Sequence, residues 1–130
     1  MPRYELTTDE ELSAAQKAAL AHEITDVHVK VTGAPPSIVH VVFLTTGPGN
    51  AFVAGEARPG TYLQGSIRAG RDHETTMTLL TELTAAVSRI TGTPPSDVAV
   101  ALRETPGRLV MEGGRIMPDP GEEGDVLRRP

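Results

Sequence analysis

The fold of this chain is decided by a six-residue stretch that occurs twice, as Thr32-Gly33-Ala34-Pro35-Pro36-Ser37 and as Thr91-Gly92-Thr93-Pro94-Pro95-Ser96. The two copies lie 59 residues apart, and matches at one fixed distance indicate an internal repeat. A glycine followed by two prolines ends a helix and keeps it from resuming, so both copies mark the same junction. The same shift superimposes further pairs: Glu23 on Glu82, Thr25 on Thr84, Val39 on Val98 and Val41 on Val100.

A helix is predicted before each copy of the repeated stretch. Ser13 and Gln16 have the spacing of a capping box, which starts a helix, and Asp72 is the predicted N-cap residue of the second helix. Gly33 and Gly92 are predicted to end the two helices. Apolar residues recur between these limits at helical spacing: Leu20, Ile24, Val27 and Val31 in the first helix, and Leu79 or Leu80, Leu83, Val87 and Ile90 in the second.

Strands are predicted on both sides of each helix. Residues 3–6 and 61–67 precede the helices, and the β-branched runs at residues 38–44 and 98–102 follow them. Such runs are typical of buried strands, and a strand–helix–strand unit pairs its two strands in parallel. A turn at residues 47–50 leads to a short predicted strand at residues 51–54.

The predicted fold class is α/β (α+β), with two fused β-α-β units in a single domain that covers residues 1–130. The units span roughly residues 2–45 and 61–103, and residues 104–130 form a hairpin and a tail. Joining the two strand pairs gives a four-stranded sheet with both helices on one face. We expect valines on both faces of this sheet, from Val39, Val41, Val42, Val98 and Val100. Other copies of the chain would then cover the apolar second face in a small symmetric oligomer.

The composition excludes several classes of protein. A net charge of -5 and a pI near 5.3 argue against nucleic-acid binding, which needs a basic patch facing the phosphates. The absence of cysteine excludes disulfides and thiolate metal sites, and His22 and His28 are too far apart for a helical metal-ligand pair. No apolar run approaches the ~20 residues that cross a bilayer. We therefore expect a cytoplasmic protein with no cofactor, metal, nucleic-acid or membrane partner.

The first candidate functional residue is Pro2, which directly follows the initiator methionine. Removal of Met1 would leave the proline nitrogen as a free secondary amine. An α-amine has a pKa of about 8, and nearby cations or desolvation lower that value towards neutral pH. Such a base can take a proton from a carbon next to a carbonyl and return it elsewhere. The simpler interpretation is that proline at this position only permits methionine removal.

Arg68 and Arg71 are candidate anion-binding residues, because they lie between the end of a predicted strand and the start of a helix. Two guanidiniums beside helix N-terminal N–H groups suit a carboxylate. Each charge-assisted hydrogen bond contributes about 1.5–3 kcal/mol when well formed. Alternatively, both arginines belong to a solvated face and pair with Asp72 and Glu74.

The repeat and the C-terminal third supply two more candidates. His28 aligns with Val87, an apolar-stripe position of the second helix, whereas Pro2 aligns with Thr61. A histidine there either bonds the backbone at the helix end or serves the site. Glu112 lies in hairpin-like sequence among apolar residues and glycines, and it either orients a water as an acid/base group or is a surface hairpin residue.

With these residues, the chain resembles the tautomerase superfamily, and within it the cis-3-chloroacrylic acid dehalogenase group. That resemblance implies fused β-α-β units, a catalytic amino-terminal proline and a homotrimer. The order and spacing of several short motifs carry it: Pro2 after Met1, Ile24-Thr25-Asp26-x-His28, Arg68-x-Gly70-Arg71, Glu104-x-Pro106, Glu112-x-Gly114-Arg115 and Pro118-x-Pro120-Gly121-x-Glu123-Gly124.

The resemblance implies a role for each candidate. Pro2 would transfer the proton, Arg68 and Arg71 would hold a small carboxylate substrate with the help of His28, and Glu112 would activate a water. One position departs from the group, because Ala101 stands where a tyrosine would partner this glutamate. The departure bears on hydration and dehalogenation, whereas proline-dependent tautomerisation needs no activated water.

Three hypotheses remain open from the sequence. The first is a tautomerase of small enol and keto acids, with low-level hydratase or dehalogenase activity on 3-haloacrylate-like acids. The second is a true cis-3-haloacrylate dehalogenase or hydratase. The third is a non-catalytic regulatory module in which Arg68 and Arg71 capture an anion, and such a module does not need a free proline amine at Pro2.

Overall fold

The structure, a computed structural model, describes residues 2–122 of the chain. The long elements form two strand–helix–strand units that follow one another along the described residues, and a short hairpin follows each unit. The elements are β1 (Arg3–Thr8), α1 (Ala14–Thr32), β2 (His40–Thr45), β3 (Phe52–Val53), β4 (Glu56–Ala57), β5 (Thr61–Arg68), α2 (His73–Thr91), β6 (Val98–Thr105), β7 (Met111–Glu112) and β8 (Arg115–Ile116).

The central sheet has the strand order β2-β1-β5-β6. Strands β1 and β2 are parallel, as are β5 and β6, and the two units meet through the antiparallel pair of β1 and β5. This arrangement confirms the predicted fold class of two β-α-β units in one four-stranded sheet with both helices on one face.

The helix limits agree with the sequence, because local hydrogen bonds set them. Ser13 and Gln16 form the reciprocal capping box, and the Asp72 carboxylate accepts from the Thr75 backbone N–H at 2.7 Å. Gly33 and Gly92 end the helices with left-handed φ values of 77° and 79°, which a residue without a Cβ adopts at little cost. A short 3₁₀ turn begins at the second proline of each pair, so β2 begins two residues later than predicted.

The core lies between the helices and one face of the sheet. Side chains from β1, β5 and both helices pack there with at most 1% of their surface exposed, and their burial is the main favourable term in folding. The members are Tyr4, Leu6, Leu63 and Ile67 from the strands, and Leu20, Ile24, Leu79, Leu83 and Val87 from the helices.

The expectation of an equally apolar second face is wrong. Side chains alternate along a strand, so Val39 and Val41, like Val98 and Val100, point towards the core. Of the five valines named for both faces, only Val42 lies on the outward face. There it is in register with Glu5, which is also in register with Gln64. The outward face is therefore mixed in polarity.

The internal repeat extends beyond the predicted units into the hairpins. The shift of 59 residues superimposes the β3–β4 hairpin on the β7–β8 hairpin. The turn residues also correspond, with φ values of 53° and 79° at Ala54 and Gly55 and of 57° and 79° at Gly113 and Gly114. Two consecutive left-handed residues are typical of the tight turn that joins two antiparallel strands.

Among the described residues, no helix is long and apolar enough to span a membrane.

Candidate active site

The predicted site residues meet at one end of the sheet. Pro2 precedes β1 and Arg68 ends β5, and because these strands are antiparallel, the start of one lies beside the end of the other. The Pro2 side chain is fully buried, and its carbonyl accepts a hydrogen bond from the His40 backbone N–H at 2.9 Å. The last turns of α1 and the first turn of α2 come to the same end.

His28 and Tyr4 form a buried pair. The Tyr4 hydroxyl and Nδ1 of His28 are 2.7 Å apart, and neither residue exposes any surface. Their rings meet edge to face, with centroids 5.6 Å apart. The other ring nitrogen of His28, Nε2, is buried and has no hydrogen-bond partner among the described residues. Such an atom is rare in a folded protein and calls for an explanation.

Both members of this pair are neutral near physiological pH. Burial, together with the charges of Arg71 and Arg68, lowers the pKa of His28 to about 3. Burial raises the pKa of Tyr4 far above its ordinary value, and the charge of Arg71 offsets only part of that increase.

The two arginines are held by backbone carbonyls. Arg68 is only 1% exposed, and its Nη1 donates to the Pro118 carbonyl at 2.8 Å. Nη1 of Arg71, which is half-buried, donates to the Arg68 carbonyl at 3.0 Å. Gly70 lies between them with φ at 117°, a conformation that suits glycine. The arrangement concentrates two positive charges at the site.

The C-terminal segment that supplies the Pro118 carbonyl packs closely on Gly107. A Cβ at position 107 would lie 2.7 Å from the Met117 carbonyl oxygen and 2.8 Å from that of Pro118. The Met117 N–H also donates to the Val110 carbonyl at 2.8 Å. The missing side chain of Gly107 therefore lets this segment reach Arg68.

Glu112 reaches the same end from the β7–β8 hairpin. It is half-buried, and its Oε1 lies 3.4 Å from Nε2 of His40, the residue whose backbone N–H bonds Pro2. Ala101 pairs with Gln64 on the outward face of the sheet, so it offers a methyl group there. The Glu112 carboxylate and the Pro2 region are thus linked through His40.

The structure brings Pro2, His28, Arg68, Arg71 and Glu112 to one end of the sheet, and their roles stay predictions. Sequence reasoning missed Tyr4 as the partner of His28, although its odd position among the aliphatic core residues of β1 was a signal. Among the residues described, no cluster of three histidines or carboxylates could hold a metal ion. Of the C-terminal motif, Glu123 and Gly124 lie outside the described residues.

The opposite end of the sheet is equivalent in backbone and different in chemistry. A groove of about 840 Å³ opens there, lined in part by Val53, Thr61 and Tyr62. The 59-residue shift places this Thr61 on Pro2, and its hydroxyl lies 3.0 Å from the Thr93 hydroxyl. The other site residues have equally different counterparts: Val87 for His28, Asp9 for Arg68, Leu12 for Arg71 and Val53 for Glu112. Within residues 2–122 the candidate site therefore occurs once.

Comparisons with known proteins identify the family of this chain. The family model described as "Putative oxalocrotonate tautomerase enzyme" matches residues 1–128. A curated relative, "Probable tautomerase" of Streptococcus pneumoniae serotype 4, is 41% identical over 58 residues, which cover 45% of this chain and 97% of the relative. That relative is thus about as long as one of the two units.

Solved structures agree over most of the chain. The crystal structure of N1, a member of the cis-3-chloroacrylic acid dehalogenase family, has a TM-score of 0.92 at 29% identity, covering 97% of this chain and 90% of that one. The structure of Pt0534 inactivated by 2-oxo-3-pentynoate has a TM-score of 0.82 at 28% identity, and the match covers 88% of this chain and 94% of Pt0534. The Q0 fused 4-OT, solved as a symmetric trimer, has a TM-score of 0.82 at 26% identity, and the match covers 88% of this chain and 94% of that one. This chain belongs to the family of the model that matches residues 1–128, the putative oxalocrotonate tautomerase enzymes, and is an enzyme of the tautomerase superfamily, similar to the cis-3-chloroacrylic acid dehalogenase group.

Proposed function

We propose that this enzyme tautomerises small enol and keto carboxylic acids, with Pro2 as the proton-transfer group after removal of Met1. The observation that carries the proposal is the position of Pro2, whose buried side chain lies at the sheet end where Arg68 and Arg71 concentrate positive charge. Desolvation and neighbouring cations both disfavour a protonated amine. Pro2 would therefore be a base at neutral pH.

In this mechanism the two arginines hold the carboxylate of the substrate. The neutral nitrogen of Pro2 takes the proton from the enol hydroxyl, or from the carbon beside the carbonyl in the reverse direction. The same proton is then delivered to the other of these two atoms, so the amine is regenerated and no co-reactant is consumed. His28 is neutral at this pH, and an N–H at Nε2 would donate to an oxygen of the substrate.

A second activity, hydration or dehalogenation of 3-haloacrylate-like acids, is favoured by the position of Glu112. Its carboxylate lies beside His40, at the same end of the sheet as Pro2, where it could orient a water. Ala101 supplies no hydroxyl to assist it, so we propose this activity at a low level only. The inactivation of Pt0534 by 2-oxo-3-pentynoate supports a site for small acetylenic and 2-oxo acids.

The proposed assembly is a homotrimer. The trimeric state of the Q0 fused 4-OT supports it, as do the exposed apolar residues of the sheet and hairpins, among them Leu44, Phe52 and Met111. Packing between copies would remove these side chains from water. Each trimer would then carry three sites.

The primary test is a steady-state assay with phenylenolpyruvate and with cis-3-chloroacrylate on the wild type and on Pro2→Ala. Intact-mass spectrometry first establishes that Met1 has been removed from both. We expect turnover of the enol acid by the wild type, a loss of at least a hundredfold in kcat for Pro2→Ala, and slow halide release from chloroacrylate. Full activity of Pro2→Ala, or retention of Met1 in an active enzyme, would contradict the proline mechanism.

The arginine pair has its own test, with a charge-matched control. Arg71→Gln should raise KM for phenylenolpyruvate ten- to a hundredfold, since a charge-assisted hydrogen bond contributes about 1.5–3 kcal/mol. Arg89→Gln removes the same charge from the exposed surface of α2, where Arg89 bonds Glu23 at 2.8 Å, and should leave KM unchanged. Equal effects of the two substitutions on KM would show that substrate binding depends on the net charge of the protein and not on the position of Arg71. Tight anion binding without turnover in the wild type would favour the regulatory module instead.

A further inference from the structure

Tyr4 occupies space that only a glycine at position 65 leaves open. The two residues are register partners on the core face of the antiparallel pair β1 and β5. A Cβ at Gly65 would lie 2.5 Å from Cε1 and 2.8 Å from Cδ1 of the tyrosine ring. Carbon atoms pack at about 3.5–4.0 Å, so no other side chain fits at position 65 beside this ring.

The repeat shows that this pair departs from an aliphatic alternative. The 59-residue shift superimposes Tyr4 on Leu63 and Leu6 on Gly65, and Leu6 and Leu63 are themselves register partners. One pair thus combines a large ring with no side chain, whereas its equivalent combines two leucines. The tyrosine in this pair places a hydroxyl within reach of His28, and the position of His28 is occupied by Val87 in the second unit.

Packing alone does not account for the departure. A glycine inside a strand weakens the strand, and a buried hydroxyl and imidazole need hydrogen bonds that leucine and valine do not. Tyr4 and Nδ1 of His28 satisfy each other, but the fully buried Nε2 finds no partner among the described residues. An orphan polar atom at the sheet end that also holds Arg68 and Arg71 points to a bound ligand as its partner.

We propose that Gly65 and Tyr4 are positioning residues that hold His28 for the reaction. Gly65 admits the Tyr4 ring, and the Tyr4 hydroxyl donates to Nδ1, which keeps the imidazole proton on Nε2, where a substrate oxygen accepts it. A neutral imidazole carries one N–H, so the bond made at one nitrogen decides which nitrogen can donate. The inference rests on the proposed function and adds the residues that prepare His28 for it.

The test combines the nitrogen signals of the His28 ring with kinetics. Long-range ¹H–¹⁵N spectra of the substrate-free enzyme, assigned with His28→Gln, should show the Nε2–H tautomer in the wild type. Tyr4→Phe keeps the ring and removes the hydroxyl, so it should give a mixture of tautomers and lower kcat/KM for phenylenolpyruvate at least tenfold. Gly65→Ala should give the same spectral change and a similar kinetic loss, because it displaces the tyrosine.

Two further variants separate positioning from folding. Tyr4→Leu with Gly65→Ala removes the clash with the ring. A Cβ at position 65 would also lie 2.9 Å from Cδ2 of Leu102, the flexible end of a side chain that can shift. The melting temperature should therefore recover relative to Gly65→Ala alone, while kcat/KM stays at the level of Tyr4→Phe. Leu6→Val changes the equivalent of Gly65 in the first unit. It should lower the melting temperature and leave both the His28 signals and kcat/KM unchanged.

Several results would overturn the proposal. These are an Nδ1–H tautomer in the wild type, wild-type His28 signals and kinetics in Gly65→Ala, or full activity in the double variant. The spectra are read without substrate, so they are independent of the role of Pro2. If Pro2→Ala were fully active while the tautomer changed as expected, the proposed reaction would fail and the positioning of His28 by Tyr4 and Gly65 would stand.

Discussion

At the scale of single residues, the site is governed by the desolvation of His28. The same side chain in water takes up a proton near neutral pH, but here burial and two neighbouring guanidiniums keep it neutral. A neutral imidazole donates a hydrogen bond without adding a third positive charge to the site. The positive charge that attracts a carboxylate therefore comes from the guanidiniums of Arg68 and Arg71.

The low pKa of His28 predicts a pH dependence of stability. A folded value of about 3 against an unfolded value of 6.5 means that the unfolded chain takes up the proton first as pH falls. As the pH falls from about 6.5 to 3, the wild type therefore loses up to ~1.4 kcal/mol of unfolding free energy per pH unit. Above about pH 6.5 the contribution of His28 to stability is fully present.

The matched variant is Tyr4→Leu with His28→Val, which installs the Leu63–Val87 combination of the second unit. Apart from His28, the groups that titrate between about pH 4 and pH 7 are those of the wild type, so the difference between the two proteins isolates His28. Urea unfolding at pH 7 and at pH 4 should show the variant gaining about 3 kcal/mol on the wild type as the pH falls. A difference that stays constant with pH would show that His28 titrates normally.

At the scale of elements, the C-terminal segment positions the arginine pair. The Pro118 carbonyl accepts from Arg68, and Gly107 provides the surface on which the segment lies. Gly107→Ala should push the segment away, lower the melting temperature by several degrees and raise KM for phenylenolpyruvate severalfold, because Arg68 loses its anchor. Gly60→Ala is the control, since a Cβ there meets nothing within 4 Å. Similar KM values for the two variants would exclude this role.

The helices and strands were predictable because their signals are local. Ser13, Asp72, Gly33 and Gly92 each act within one turn of chain, and the repeat showed that the same elements occur twice. The sheet face and the Tyr4–His28 pair were not predictable in the same way, since they depend on contacts between strands and a helix that are far apart in sequence. Even so, the repeat marked His28 as the exception in an apolar stripe.

At the scale of the whole molecule, the two units have similar backbones and different ends. The end that begins at Pro2 carries two arginines and a glutamate, whereas the other end carries Asp9 and Val53 at the equivalent positions of Arg68 and Glu112. A carboxylate there would meet Asp9 and Asp97 as well as Arg58, and would find no base at Thr61. We therefore expect one binding site per chain in titrations with a carboxylate ligand, and two would contradict the assignment of the site to the Pro2 end.

The assembly can be tested by placing a charge on each of two exposed faces. Leu44 lies on the outward face of β2 and is 47% exposed, and Met77 on α2 is 46% exposed. If the sheets pack together in a trimer, Leu44→Glu buries a charge between copies and weakens association, because an unpaired buried charge is strongly unfavourable. Met77→Glu puts the same charge on the helical face and should leave the trimer intact.

Analytical ultracentrifugation measures the mass of the assembly. It should give three times the 13.8 kDa mass of one chain for the wild type and for Met77→Glu, and a smaller mass for Leu44→Glu. Dissociation caused by Met77→Glu alone would place the contact on the helices instead.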